Sequence, residues 1–245
     1  MSRLFNGSDE YLQTSSAVVS AVPLTIAGWV YFTGSVFVSG TVLCVADTSA
    51  TDHLFSLRVT GNGSVINVRG LTRGGGYAEA ISAGAVTANA WQHVAFISSA
   101  TNAREALVMG GGSGTNATSA TPLNLDASSI GRQCDNSPGD YFPGRLAEIG
   151  VWNVALTTAE VGILAAGYSP LFVRPQSLIA YYPLIRDEDQ DRVGGYDMTA
   201  FNAPAIAVQA PVRYPAHQMI GMPASIAPTV NLILTTYGGY SVPVG

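Results

Sequence analysis

The chain has 245 residues, of which 47% are apolar and only 11% are charged, where about a quarter charged is usual. Its formal net charge is −5, and all 11 cations are arginine. There is no basic nucleic-acid footprint and no apolar run long enough to span a bilayer, so neither nucleic acid nor membrane is expected as a partner.

The length suffices for one large β domain with an appendage. Charge this sparse points to surface buried against other chains. Met1 is followed by "SRLFNGSDEYLQT", with no basic start leading into an apolar run. No signal peptide is therefore expected, and synthesis in the cytosol is. Cys44 and Cys134 read as two reduced thiols, since a disulfide would need an oxidising destination. The sequons at Asn6, Asn62 and Asn116 carry little meaning without secretion.

Strand signals dominate the pass along the chain. "LTIAGWVYF" (Leu24–Phe32) alternates, with Leu24, Ile26, Val30 and Phe32 on one face and Trp29 and Tyr31 on the other. "HLFSLRV" (His53–Val59) sets Leu54 and Ser56 opposite Phe55, Leu57 and Val59. "SVINVRG", "YAEAISA", "WQHVAFISS" and "EALVMGG" follow, separated by Gly, Asn and Ser clusters that supply turn conformations. None of the Gly-rich stretches ends in Gly-Lys-Ser/Thr or opens a helix, so none is a phosphate loop. Many short punctuated strands predict a sandwich or barrel.

"RLAEIGVWN" (Arg145–Asn153) reads as a strand with Leu146 and Trp152 on one face and Ala147, Ile149 and Val151 on the other. A short helix should follow, capped by Thr157 with Glu160 closing a capping box, and stopped at Gly167. It should bury Val161 and Leu164, with Ile163, on one open end of the sandwich. Eight side chains are expected inward between two antiparallel sheets: Leu24, Ile26, Val30, Phe32, Val94, Phe96, Ile149 and Val151.

These segments carry a resemblance. "LFNGSDEYLQT", "PLTIAGWVYF", "WQHVAFI" and "IGRQ…YFPGRLAEIGVWNVALTTAEV" resemble, in order, four motifs of the laminin-G-like, concanavalin A-like lectin and glucanase family. The resemblance covers roughly residues 3–168. It implies an all-β antiparallel sandwich, a jelly roll, with one short helix after the late strand. Residues 1–168 would be the jelly-roll core and 169–210 additional strands closing the sandwich. "LIAYYPLIRDEDQDRVGGYDMTAFNAPAI" (Leu178–Ile206) resembles a segment that often precedes the jelly roll in the family. Here it comes after, and it either closes this chain's sheet or pairs with a neighbour's. Residues 211–245 carry five prolines and no acid, and they read as an extended C-terminal assembly arm. Val230, Leu232, Leu234, Tyr237 and Tyr240 are its contact residues.

Catalysis finds no support in the residues. Glycoside hydrolysis needs two carboxylates flanking one bond. On the strand, Glu148 has only Leu146 and Gly150 two positions away, so it reads as a structural hydrogen-bonding group. His93 reads as a core histidine, and no Gly-x-Ser-x-Gly elbow occurs. No catalytic or cofactor-binding residue is assigned. Calcium, which family members often bind, finds its best candidate ligands in Asp187, Asp189 and Asp191 of "DEDQD". The competing reading is a solvated turn, because the EF-hand glycine and glutamate positions hold Arg192 and Met198. Candidate glycan contacts are Trp29, Tyr31, Tyr77 and Tyr141, with core or interface positions as the alternative.

The expected function is a non-enzymatic virion structural protein, of the kind the family supplies to bacteriophages, serving in capsid decoration or a tail or fibre assembly. Its partners would be other virion proteins and copies of itself, with cell-surface glycans as a further partner. It would be assembled in the host cytoplasm and reside in the virion. The alternative is a carbohydrate-binding adhesin module, and the third reading is a glycoside hydrolase.

Overall fold

The computed structural model describes residues 1–109, 112–185 and 190–213. The strands are β1 (Ser2–Asn6), β2 (Tyr11–Thr14), β3 (Leu24–Phe32), β4 (Ser39–Ala46), β5 (His53–Gly61), β6 (Ile66–Gly74), β7 (Tyr77–Ala85) and β8 (Trp91–Ala100). They continue with β9 (Ala103–Val108), β10 (Gly112–Asn116), β11 (Ala127–Ile130), β12 (Pro143–Trp152), β13 (Leu178–Tyr182), β14 (Thr199–Phe201) and β15 (Ala205–Ala207). The helix α1 (Thr158–Ala165) follows β12. One sheet has eight strands in the order β10-β9-β8-β3-β12-β1-β15, with β13 pairing β12. The other has seven, in the order β14-β2-β11-β4-β5-β6-β7. Every pairing is antiparallel. The protein is an antiparallel β-sandwich, with β13, β14 and β15 joining the sheets of their own chain.

The main core lies between the sheets. All eight side chains expected inward are fully buried within it, from Leu24 to Val151. The alternation in β3 makes this direct, because period-two spacing places every second residue on the apolar side. Gly28 is the inward position without a side chain. A Cβ there would collide with Ile149 Cδ1, so glycine lets β12 approach.

The face assignment in β12 needs correction. Leu146 is inward with Ile149 and Val151, while Ala147 and Trp152 are outward. The cause is a bulge: the register against β3 shifts between Ala147 and Gly150, and Glu148 takes φ +53°. One extra residue inverts the parity of everything after it.

The cap of α1 forms as the sequence implies. Thr157 Oγ1 accepts the Glu160 backbone N–H, and Glu160 Oε2 accepts that of Thr157. Glu160 also pairs with Arg174 at 2.5 Å. Thr157→Ala should lower unfolding stability by about 1 kcal/mol; denaturation curves that overlay the parent would show that the cap contributes nothing. The landing site of α1 differs from expectation. Val161 and Leu164 pack on the outer face of the eight-stranded sheet, against Ala27, Ala95, Ile97, Leu107 and Trp152, and not on an open end of the sandwich; Ile163 is exposed. The helix goes there because that outer face is itself apolar. Trp152 anchors the site by donating its indole N–H to Val173 O at 2.8 Å.

Candidate functional site

The two outer faces of the sandwich differ. On the eight-stranded sheet, α1 and the turn after it cover one half. Ala210 and Val212 pack with Trp29, Ala147 and Trp91 on another part. Trp29 is buried there, edge-on to His93 at 5.4 Å between ring centroids. Tyr31 meets Trp91 edge-on at 5.7 Å and carries the Arg145 guanidinium 4.6 Å from its ring centre. Two of the four candidate glycan contacts therefore sit on this largely covered face.

Between those two clusters lies Glu148. The bulge turns its side chain outward, where it is buried and accepts the Tyr181 hydroxyl at 2.6 Å. Ser169 donates in turn to Tyr181 Oη at 3.3 Å. Burial raises the Glu148 carboxyl from 4.5 to about 7, with the Tyr181 hydrogen bond opposing part of the rise. Among the described residues this network has no second carboxylate hydrogen-bonded within it.

The outer face of the seven-stranded sheet carries Leu54, Ser56 and Arg58 on β5, Arg69, Leu71 and Arg73 on β6, and Tyr77, Glu79 and Ile81 on β7. Their inward neighbours Phe55, Leu57, Val68 and Ala80 belong to the core, and period-two alternation sends the others out. Register places Arg58 opposite Arg69, Leu71 opposite Glu79 and Arg73 opposite Tyr77. Two guanidiniums side by side repel unless each has an acid. Arg69 pairs with Glu79 at 2.7 Å, and Arg58 with Asp140 at 3.1 Å. Tyr77 donates to the other Glu79 oxygen at 2.9 Å, and the Arg73 guanidinium lies 5.4 Å from its ring centre. Partial burial raises the Tyr77 phenol, helped by the hydrogen bond to Glu79 and its charge. Despite these contacts the Tyr77 residue is 54% exposed. Arg58 Nη2 and Arg69 Nε are buried without a hydrogen-bond partner.

A loop, residues 131–142, lies along β4 and walls this face on one side. It is tied down by Asn136 N–H to Ala50 O, Thr41 N–H to Asp140 O and Phe142 N–H to Gly131 O. Within it, Tyr141 packs near Tyr11 at 6.2 Å, and Tyr11 stacks on Phe201 at 4.6 Å with the loop's Arg132 guanidinium 3.6 Å from its ring centre. Tyr141 thus belongs to the loop that walls this face and packs toward Tyr11, away from Tyr77.

Of the calcium candidates, Asp187 and Asp189 lie outside the described residues. Asp191 is a turn hub: its carboxylate oxygens accept the backbone N–H groups of Tyr181, Val193, Gly194 and Tyr196. Among the described residues no group of three or more His, Cys, Asp or Glu could hold a metal ion. Val230, Leu232, Leu234, Tyr237 and Tyr240 also lie outside the described residues. The sequence reading passed over Arg58, Arg69, Arg73 and Glu79. Their signal was present as arginines on the polar face of alternating strands.

Solved structures share this fold. A Bacteroides ovatus protein proposed to bind carbohydrate is 20% identical with a TM-score of 0.60, over 86% of this chain and 61% of that one. The CBM40 domain of Ruminococcus gnavus IT-sialidase, bound to α2,3-sialyllactose, is 17% identical with a TM-score of 0.52, over 67% of this chain and 98% of that one. Domain 4 of an extracellular arabinanase from Geobacillus stearothermophilus, in complex with arabinotriose, is 20% identical with a TM-score of 0.52, over 67% and 76%. At these identities the likeness is one of fold. No curated protein matches the sequence. A family model described as the concanavalin A-like lectin/glucanases superfamily matches residues 6–162, more than half of the chain, and to that superfamily the protein belongs.

Proposed function

We propose that the protein is a non-catalytic carbohydrate-recognition module whose ligand lies on the outer face of the seven-stranded sheet, against Tyr77. One observation carries this: an exposed tyrosine ring flanked by Arg73, Glu79 and Arg69 on a face that α1 leaves open. An aromatic ring offers a flat apolar surface to the C–H face of a sugar, and guanidinium and carboxylate groups beside it match paired hydroxyls. Two proteins of this fold hold oligosaccharides, sialyllactose in one and arabinotriose in the other. Recognition is preferred over hydrolysis because Glu79 and Asp140 are each engaged by a guanidinium rather than flanking one bond as a pair.

Tyr77→Ala should weaken binding of a retained oligosaccharide about tenfold or more, measured by calorimetry after screening immobilised neutral and acidic glycans. Tyr31→Phe, on the opposite face, should leave affinity unchanged. If no glycan is retained, or if Tyr77→Ala binds as the parent does, the assignment is wrong. The virion role adds a setting for such a module. It rests on the composition of residues 211–245 and on the sparse charge, and co-sedimentation of the chain with intact particles checks it.

A further inference from the structure

We propose that Cys44 and Cys134 form a reversible disulfide that rivets the 131–142 loop to the seven-stranded sheet. Cys44 points out from β4, and Cys134 sits in the loop that crosses above it. Both are buried in one small cluster with Ala46, Leu54, Leu71 and Ala127. Cys134 Sγ–H donates to the Cys44 backbone carbonyl at 3.7 Å, which sets the two side chains beside one another. The loop's backbone ties to Ala50 and Thr41 hold this arrangement without any covalent link. The native fold thus brings together two sulfurs that lie 90 positions apart in sequence.

The pair is chemically asymmetric. Burial holds the Cys44 thiol well above its ordinary range. The Cys44 thiol beside it, with the Ser129 hydroxyl and the Arg132 charge, favours the Cys134 thiolate against the opposing effect of burial. Cys134 is therefore the attacking sulfur. With a low-molecular-weight disulfide such as oxidised glutathione, its thiolate attacks one sulfur, the S–S bond breaks, and one glutathione thiolate leaves with the bonding pair. Cys44 then loses its proton and attacks Cys134 Sγ, expelling the second glutathione. Two protein thiols are oxidised, one glutathione disulfide is reduced, and the two protons end on the two glutathione thiols. Because both sulfurs are buried, exchange waits on local lifting of the loop, which sets its rate.

The proposal stands apart from the glycan reading, although the same loop supplies Asp140 to Arg58. The full chain is equilibrated in glutathione buffers of increasing oxidised fraction, then denatured and alkylated. A species lighter by two hydrogens is expected, with a non-reducing peptide map joining Cys44 to Cys134. Its melting temperature should rise by about 5–10 °C, because a long loop is closed in the unfolded chain, and dithiothreitol should reverse this. Cys44→Ser should instead accumulate glutathione on Cys134. Full alkylation of both cysteines after equilibration in the most oxidising buffer overturns the proposal, as do two mixed disulfides with no cyclised form, or a covalent dimer. These readouts need no glycan, so a failure of glycan binding leaves them unaffected.

Discussion

Replacing Glu148 with glutamine is expected to stabilise the protein relative to the parent, by nothing below about pH 4.5 and by ~3 kcal/mol above pH 7. The folded carboxyl holds its proton up to about pH 7, whereas the unfolded one releases it near 4.5. Between those values the unfolded chain binds fewer protons than the folded one, so the parent loses stability as pH rises. Above pH 7 the folded state carries a buried carboxylate that accepts the Tyr181 hydroxyl and feels the N-terminal ammonium, neither of which offsets its burial. Glutamine keeps an acceptor for that hydroxyl and removes the charge. Urea unfolding near pH 4.5 and near pH 8 measures the difference. Equal stabilities of variant and parent at the higher pH would mean that the carboxylate is solvated after all.

His93 gives the opposite slope. Burial lowers its imidazolium from 6.5 to about 3, and its Nδ1 is buried without a partner beneath Trp29. A depressed cation favours folding above the unfolded value and costs stability as pH falls through the gap. His93→Phe should match the parent near neutrality and exceed it increasingly below pH 6.5, by ~5 kcal/mol toward pH 3. Phenylalanine keeps a ring against Trp29 and has no nitrogen to leave unpaired. Between pH 4.5 and 6.5 the two groups cancel, so the parent's own profile should be flat there, and either substitution should expose the other slope. Thermal or urea unfolding across that range tests both. A His93→Phe variant that unfolds in acid alongside the parent would remove the histidine from the account.

The contrast between β3 and β12 shows how far the sequence could be read. In β3 strict alternation made the inward set legible, because nothing interrupts the pleat. In β12 the same reasoning failed after Ala147. The bulge carries no glycine or proline at its positive-φ residue, only Glu148, so nothing in the local pattern marks it. The cap of α1 was legible because it is a four-residue affair, Thr157 to Glu160. Its landing place was not, since it depends on outward residues of β3, β8 and β9 that lie far away in sequence. The same limit explains the candidate site. Trp29 and Tyr77 look alike as strand aromatics. What separates them is where later segments fall: Ala210 and Val212 pack on Trp29, while among the described residues nothing comparable hides Tyr77. Arg58 and Arg69 gain meaning only from the register that sets them opposite one another and brings Glu79 and Asp140 to them.

The strand order also determines how the chain emerges from the ribosome. β1 is made first, yet its neighbours are β12, through Pro143–Leu146, and β15, through Ala205–Ala207. β2 likewise waits for β11 and β14. At translation rates of about 5–20 residues per second, β1 stays without a partner for on the order of ten seconds. Its pairings close loops spanning most of the described chain, which places the protein among slow folders of high contact order. The sandwich is therefore completed only after β12 and β15 have been made. Truncated nascent chains ending before β12 would expose both edges of Ser2–Asn6, and they are the species on which chaperone binding or aggregation should concentrate.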